Sequence, residues 1–299
     1  NTRVSTWLAF LCLEKISEWL CNLEVPKDSL SWTRFSGSLA FVLIILLFLS
    51  GTVMAFYYSP IPGTAYDSVD FALFNLPFGS VIKGIHHYSW NLLLIVTGLH
   101  LCRTLVTGSY KAPRQMVWVT GVLLLLFLPL FIITGDLLPW DQKGYWSTQV
   151  RLSIISSVPV IGDPASRLFL GGSMVGVVAL TRFYVLHILV LPGFLILLCA
   201  AHFHFIYHRG LLDFSKREAS LQPKMPFFPD LVNRWLFLFI MAALILGWGG
   251  WFWTPPLGDP ADPTDSSYIP KPEWWVLFLN QLVSIFKGRL AALGSTIIP

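Results

Sequence analysis

The chain has 299 residues, 55% of them hydrophobic and only 12% charged, with 20 Lys and Arg against 16 Asp and Glu for a formal net charge of +4. Soluble globular chains carry about 25% charged residues, so this composition excludes a soluble domain and describes an integral membrane protein. A net charge this small also gives no support to nucleic-acid binding.

In chain order, residues 1–29 come first. Trp7, Phe10, Leu11 and Trp19 are mixed with Glu14, Lys15 and Glu18, the pattern of an amphipathic helix lying on a membrane surface, although a soluble-facing helix has the same pattern. No basic region precedes a cleavage site, so no signal peptide is expected. A spanning helix needs about 20 predominantly apolar residues, and five segments qualify: 36–57, 82–106, 116–136, 180–206 and 234–253. The first holds Gly37 and Gly51, and the second His86, His87 and His100. The third holds Gly121 and Gly135, and the fourth His187, His202 and His204, with His208 at its rim. Between the third and fourth runs a long segment with LPWDQ (138–142), GYW (144–146) and PVIG (159–162), expected to be an ordered functional loop with short helices. After the fifth come GDPADP (258–263) and KPEWW (271–275). Residues 289–299 are too short to cross and are expected to begin a helix that is cut off or completed by another chain.

Basic residues orient the spans. One side collects Arg103, Lys111, Arg114, Arg209, Lys216, Arg217, Lys224 and Arg234, while the other has Lys83, Lys143, Arg151, Arg167, Arg182 and Lys271 among many acids. The positive-inside bias therefore puts the N-terminus in the cytoplasm.

His86 and His100 are fourteen residues apart, and His187 and His202 fifteen. On a straight helix these separations are about 21 to 23 Å along the axis and return to within roughly 40 to 60° of one face. The second and fourth spans run in the same direction, so His86 lies level with His187 and His100 with His202. One histidine in a span has an ordinary reading as a hydrogen-bonding group, but intramembrane ionisable residues are costly and usually functional. Four matched at two depths suggest two planar metal cofactors held one above the other, and haem is the obvious candidate. Helix phase excludes His87, nearly opposite His100, and His204, roughly 100° off the face of His187; His204 and His208 read as rim or quinone-pocket residues. Gly37/Gly51 and Gly121/Gly135 repeat the fourteen-residue spacing. Glycine admits a macrocycle edge or another backbone, and small-residue helix packing is the plainer alternative. Cys12, Cys21, Cys102 and Cys199 form neither a C-x-x-C-H attachment signature nor a zinc pattern. Glu273, set among Pro272, Trp274 and Trp275, is expected to have a raised pKa suited to proton uptake, with a solvated turn acid as the alternative.

These motifs carry a family resemblance. His86 to His100 followed by Arg103, KAPR (111–114), WVTG (118–121), LPWDQ, GYW, PVIG and TRFYVLH (181–187) make residues 30–212 resemble the cytochrome b subunit of quinol-oxidising bc-type complexes, and within it the b6 branch of cytochrome b6f. Residues 213–299 resemble the beginning of subunit IV, through GDPADP and PEWW. The resemblance implies an all-α membrane protein, a four-helix haem-binding transmembrane bundle plus an additional C-terminal transmembrane helix or helices. It implies two non-covalent b-type haems, His86 and His187 ligating the outer and His100 and His202 the inner, with Arg103, Arg114, Lys83 and Arg182 meeting propionates. Quinol and quinone are the implied substrates. Glu273, with Pro272, Trp274, Trp140 and Asp141, would form the quinol-oxidation site, bifurcating electrons and coupling them to proton translocation. Implied partners are a Rieske-type iron–sulfur protein, a cytochrome c-like subunit or acceptor and further membrane subunits, in a homodimeric complex of the bacterial cytoplasmic membrane. Two departures stand out. Trp275 replaces the motif's tyrosine, and Phe35 replaces the cysteine that holds a covalent haem in the b6 branch, so no covalent haem is expected. Two rivals share the spans: a non-bifurcating dihaem membrane anchor of a peripheral oxidoreductase, and a proton-coupled transporter.

Overall fold

The computed structural model of the chain describes residues 22–26, 35–209 and 223–285. Five helices are long and apolar enough to cross a membrane: Phe35–Ala55, Gly79–Val106, Gln115–Asp136, Val177–His208 and Phe227–Phe252. They coincide with the five spans read from the sequence, with small differences at the ends. The surface helix expected over 1–29 (apart from 22–26) and the further helix expected from 289 lie outside the described residues.

Strand β1 (Glu24–Pro26) precedes α1 (Phe35–Ala55). Helix α2 (Pro62–Phe74) leads to α3 (Gly79–Val106), and α4 (Gln115–Asp136) is followed by two short helices, α5 (Gln142–Ser156) and α6 (Gly162–Leu170). The fourth span is composite: α7 (Val177–Val185) passes through a π-helical turn, Leu186–Val190, into α8 (Leu191–Arg209). Strand β2 (Lys224–Pro226) and an irregular turn, Phe227–Leu231, open α9 (Val232–Phe252), and a 3-10 turn at Trp274–Val276 opens α10 (Leu277–Ile285). Strands β1 and β2 pair antiparallel, with Val25 opposite Met225. They are a small exception to an all-α architecture.

The spans are apolar on nearly every side. Phe48, Leu126, Leu197 and Leu244 stay exposed at their surfaces, as hydrocarbon facing lipid does, while the helices satisfy their own backbone groups internally. Helix α2 was not anticipated. It starts with Pro62, where a missing N–H costs nothing, and buries the four-spaced face Ala65, Val69 and Leu73.

The described residues form two compact units. One takes them from Asn1–Ser50, Gly84–Leu126 and Ile196–Trp253, the other from Gly51–Lys83, Phe127–Leu195 and Thr254–Pro299. In the first, Gly84 of α3 meets Gly250 of α9 so closely that a Cβ on Gly84 would stand 2.2 Å from the Gly250 Cα. The two backbones touch, and a side chain at that crossing would force them apart. Phe41 of α1 packs edge-on against Phe203 of α8 and tilted against Trp235 of α9, both with ring centroids 5.1 Å apart. In the second unit the short helices have their own core, in which Leu137, Tyr145, Ala179 and Leu180 are wholly buried beside Trp140, Leu152 and Phe183.

Candidate functional site

Each of the four spaced histidines is tethered by one hydroxyl. Nδ1 of His86 lies 3.0 Å from Ser50 Oγ, and Nδ1 of His100 lies 3.0 Å from Ser36 Oγ. His187 is 3.1 Å from Thr134 Oγ1, and His202 is 2.9 Å from Thr120 Oγ1. Every one of these hydroxyl residues immediately precedes one of the four spaced glycines, Gly51, Gly37, Gly135 and Gly121.

The hydroxyls fix the tautomer. Ser50 Oγ donates to the Leu46 carbonyl at 2.6 Å, and Thr120 and Thr134 donate to Met116 and Leu130 at 2.8 Å each. A hydroxyl has a single proton. With it directed to the carbonyl one turn back, the oxygen accepts from the imidazole, so Nδ1 of His86, His187 and His202 carries the ring hydrogen. Nε2 is then the unprotonated nitrogen, the form in which imidazole ligates a metal, oriented by its other nitrogen. Glycine makes room for the rings themselves. A Cβ at Gly37, Gly121 or Gly135 would come within 3.2, 3.3 and 2.7 Å of Cε1 of His100, His202 and His187 respectively.

His86, His100 and His202 belong to the first unit and His187 to the second. Within the first, His100 and His202 are near enough to interact electrostatically. Among the described residues no group of three or more His, Cys, Asp or Glu is arranged for a bare ion. Paired imidazoles suit a metal whose remaining positions a macrocycle already fills. His87 instead sits edge-on to Tyr88 and Trp90, and His204 and His208 form an exposed pair with centroids 4.3 Å apart.

The second cluster lies in the second unit. Asp141 caps α5, its Oδ1 accepting from Gly144 N at 2.8 Å, while its Oδ2 accepts from Gly258 N at 3.1 Å. Gln142 N donates to Asp259 O at 2.8 Å, and Ala261 N donates to Trp140 O at 3.0 Å. Three hydrogen bonds thus join LPWDQ to GDPADP, segments more than a hundred residues apart. Trp140 takes the left-handed backbone (φ 52°), costly for a bulky side chain. Its ring packs edge-on to Tyr145, 5.6 Å between centroids. Asp141 is therefore a cap and a strut, with both oxygens committed to backbone.

Lys143, in the first turn of α5, donates to the Glu273 carboxylate. Burial lowers the Lys143 pKa, and the hydrogen bond it donates to Glu273 outweighs that, helped by the charges of Asp136, Glu273 and Asp141, so the ammonium ends above its ordinary value. Glu273 thus faces a cation as well as the rings expected around it. Pro272 and Trp274 beside it are exposed. Trp275 buries its Nε1 without a hydrogen-bond partner among the described residues, so the position offers a donor and no acceptor. Asp136 and Arg151 form a further pair at 2.5 Å.

The four cations assigned to propionates differ. Lys83 Nζ in α3 is buried with no hydrogen-bond partner among the described residues, an arrangement that favours an anion nearby. Arg182 donates to the Leu168 carbonyl of α6. Arg103 closes α3 and Arg114 precedes α4, both half-buried. Sequence reasoning passed over Ser36, Ser50, Thr120, Thr134 and Lys143. The signal for the hydroxyls was present, as a Ser-Gly or Thr-Gly dipeptide at all four positions.

The family profile described as "Cytochrome b(N-terminal)/b6/petB" matches residues 91–260. Cytochrome b6 of Synechococcus sp. (strain JA-3-3Ab) is 38% identical over 175 residues, 58% of this chain and 81% of that protein. Cytochrome b6 of Synechococcus sp. (strain RCC307) is 39% identical over 58% of this chain and 80% of its own length. Among solved structures, a chain from "Hyperthermophilic respiratory Complex III" superposes with a TM-score of 0.79 at 25% identity, covering 94% of this chain and 76% of that one. With more than half of the chain matched and most of each relative covered, this all-α, multi-pass membrane protein belongs to the cytochrome b N-terminal/b6 family.

Proposed function

We propose that the chain is the dihaem cytochrome b subunit of a membrane quinol:cytochrome c (or plastocyanin-like acceptor) oxidoreductase that oxidises quinol at an outer site and reduces quinone at an inner one. The observation that carries this reading is the set of four tethered histidines, each with Nδ1 on the hydroxyl of a Ser-Gly or Thr-Gly pair. That donor set fits bis-imidazole ligation. Two non-covalent b-type haems, when bound, supply the one-electron relay between the two quinone sites. His86 with His187 and His100 with His202 would hold them; Ser50, Thr134 and Thr120 keep the rings of His86, His187 and His202 in the ligating tautomer, and Ser36 contacts Nδ1 of His100. Lys83, Arg103, Arg114 and Arg182 are the candidate propionate partners, Lys83 with the strongest case because its ammonium is buried without a hydrogen-bond partner among the described residues.

At the outer site Glu273 accepts a proton from quinol, and the Asp141 strut holds the LPWDQ turn and its Trp140 against the segment that leads to Glu273. Trp275 supplies an indole N–H where relatives in the resemblance have a hydroxyl. This arrangement favours a quinol-oxidising subunit over a plain dihaem anchor, which has no need of a proton acceptor beside a braced loop. The two-part organisation, 30–212 b6-like and 213–299 subunit IV-like, a cytoplasmic N-terminus, the bacterial cytoplasmic membrane, and Rieske-type and cytochrome c-like partners in a homodimer complete the proposal. Phe35 in place of cysteine predicts that both haems extract without covalent linkage.

Reduced-minus-oxidised spectra of the purified complex test the reading. Replacing His100 removes the inner-haem signal and leaves part of the outer one; an unchanged two-haem spectrum contradicts the ligand assignment. Glu273→Gln slows quinol oxidation with both haems retained, and normal turnover contradicts its proton role.

A further inference from the structure

Lys143 has no part in the function proposed above, yet its surroundings are specific. Three carboxylates act on it: Glu273, Asp136 and Asp141. Asp136 is held by Arg151 at 2.5 Å, and both Asp141 oxygens accept backbone N–H groups. Glu273 is the carboxylate in direct contact, and among the described residues Lys143 is the cation within ion-pair reach of Glu273. The lysine springs from the first turn of α5, whose start is fixed by its Asp141 cap and by the bonds to residues 258–261. Glu273 lies in a stretch without regular structure just before the 3-10 turn. The fixed partner therefore aims the free one. At 18% exposure the Glu273 side chain is more sheltered than Lys143 at 41%, so the ammonium can stay partly hydrated while it holds a largely desolvated carboxylate.

Resting on the reading that Glu273 accepts the quinol proton, we infer that Lys143 is the positioning residue of that step, holding the Glu273 carboxylate in place and releasing it once the proton has arrived. In the step itself a carboxylate oxygen takes the proton of a quinol hydroxyl. The electron pair of the broken O–H bond stays on the quinol oxygen, and Glu273 becomes a neutral acid. A neutral acid has no charge with which to hold an ammonium. Lys143 thereby gives the loaded and unloaded forms of Glu273 different positions. While Glu273 is ionised, the surrounding carboxylates outweigh the effect of burial on the Lys143 ammonium.

The test is steady-state oxidation of a short-chain quinol by the intact complex across about pH 5 to 9, for the wild type, K143M, K143R, E273Q and the K143M/E273Q double variant, with haem content measured on each. K143M moves the acid-side half-maximum of kcat upward by about one pH unit, a roughly tenfold loss at the acid end with KM within about twofold. K143R restores the wild-type limb, and the double variant is no slower than E273Q alone, because the lysine acts through the carboxylate. A K143M acid limb that superimposes on the wild type's while E273Q is slow overturns the role of Lys143 and leaves that of Glu273 standing. Normal turnover of E273Q overturns the reading beneath both. K143Q gives the same readout if K143M does not assemble.

Discussion

Replacing Gly135 by alanine probes the fit between helix backbone and imidazole. The added Cβ would stand 2.7 Å from Cε1 of His187, 3.2 Å from Nδ1 and 3.3 Å from Nε2, where ordinary contact begins at 3.4 Å. The ring must then withdraw by about 0.7 Å, far beyond the roughly 0.2 Å that a metal–ligand distance tolerates. It cannot pivot freely, because Thr134 holds Nδ1 at 3.1 Å, and breaking that bond costs about 1 kcal/mol or more. At Gly37 and Gly121 the corresponding contacts are 3.2 and 3.3 Å, so a shift of a few tenths of an ångström suffices. Gly98 has nothing within 4 Å of an added Cβ, and alanine there gains helix propensity worth roughly 0.5 to 1 kcal/mol. Haem bound per chain in purified complex is therefore expected to fall most for G135A, less for G37A and G121A, and not at all for G98A. Wild-type haem content in G135A, or an equal loss in G98A, refutes the claim that these glycines exist to admit the ligand rings.

Thr134→Val keeps the shape of the side chain and removes the hydroxyl beside His187 Nδ1, leaving the Phe131 backbone as its remaining contact. Haem affinity is expected to drop about 10- to 100-fold, with Thr134→Ser close to wild type in a haem titration. Asp141→Ala removes the α5 cap and the strut to Gly258 together, at a cost of about 1 to 2 kcal/mol. Faster proteolysis within residues 254–272 with both haems retained is the expected result. The Lys143 ammonium has a folded pKa above its ordinary value of 10.5. The stability of its ion pair is thus fully present below that value and lost as pH rises through the folded one. Melting curves at about pH 8 and pH 11 should show a larger alkaline loss for the wild type than for E273Q, by less than about 1 kcal/mol since the lysine is partly exposed.

The spans were legible because twenty-odd apolar residues have no other use, and the histidine pairs because spacing on a helix converts directly into depth. What spacing missed was the helix geometry at His187. It lies in the π-helical turn Leu186–Val190, which takes in one extra residue. Straight-helix arithmetic does not carry across such a turn. The glycines were read as space for a macrocycle edge or another backbone, with small-residue packing as the plainer alternative, and in the structure imidazole rings stand against three of them. Their hydroxyl neighbours were visible as dipeptides but gain meaning only once Ser or Thr of one helix is seen against His of another. Lys143 and Glu273, 130 residues apart, carry no local signal at all. Only the fold, with the 258–261 segment bonded back onto the α5 cap, brings them together. The bond from Arg182 to the Leu168 carbonyl carries no local signal either.

The central claim is that quinol gives one electron to an external acceptor and the other to the haems held by this chain. It is tested most directly by oxidant-induced reduction. With quinol present and the inner site inhibited, a pulse of oxidant that draws electrons only from the iron–sulfur partner should raise the absorbance of reduced b haem. An inhibitor of the outer site should abolish that rise, and E273Q should slow it. If the same pulse only oxidises the b haem, the two electrons are not divided at Glu273, and the chain is a simple conductor.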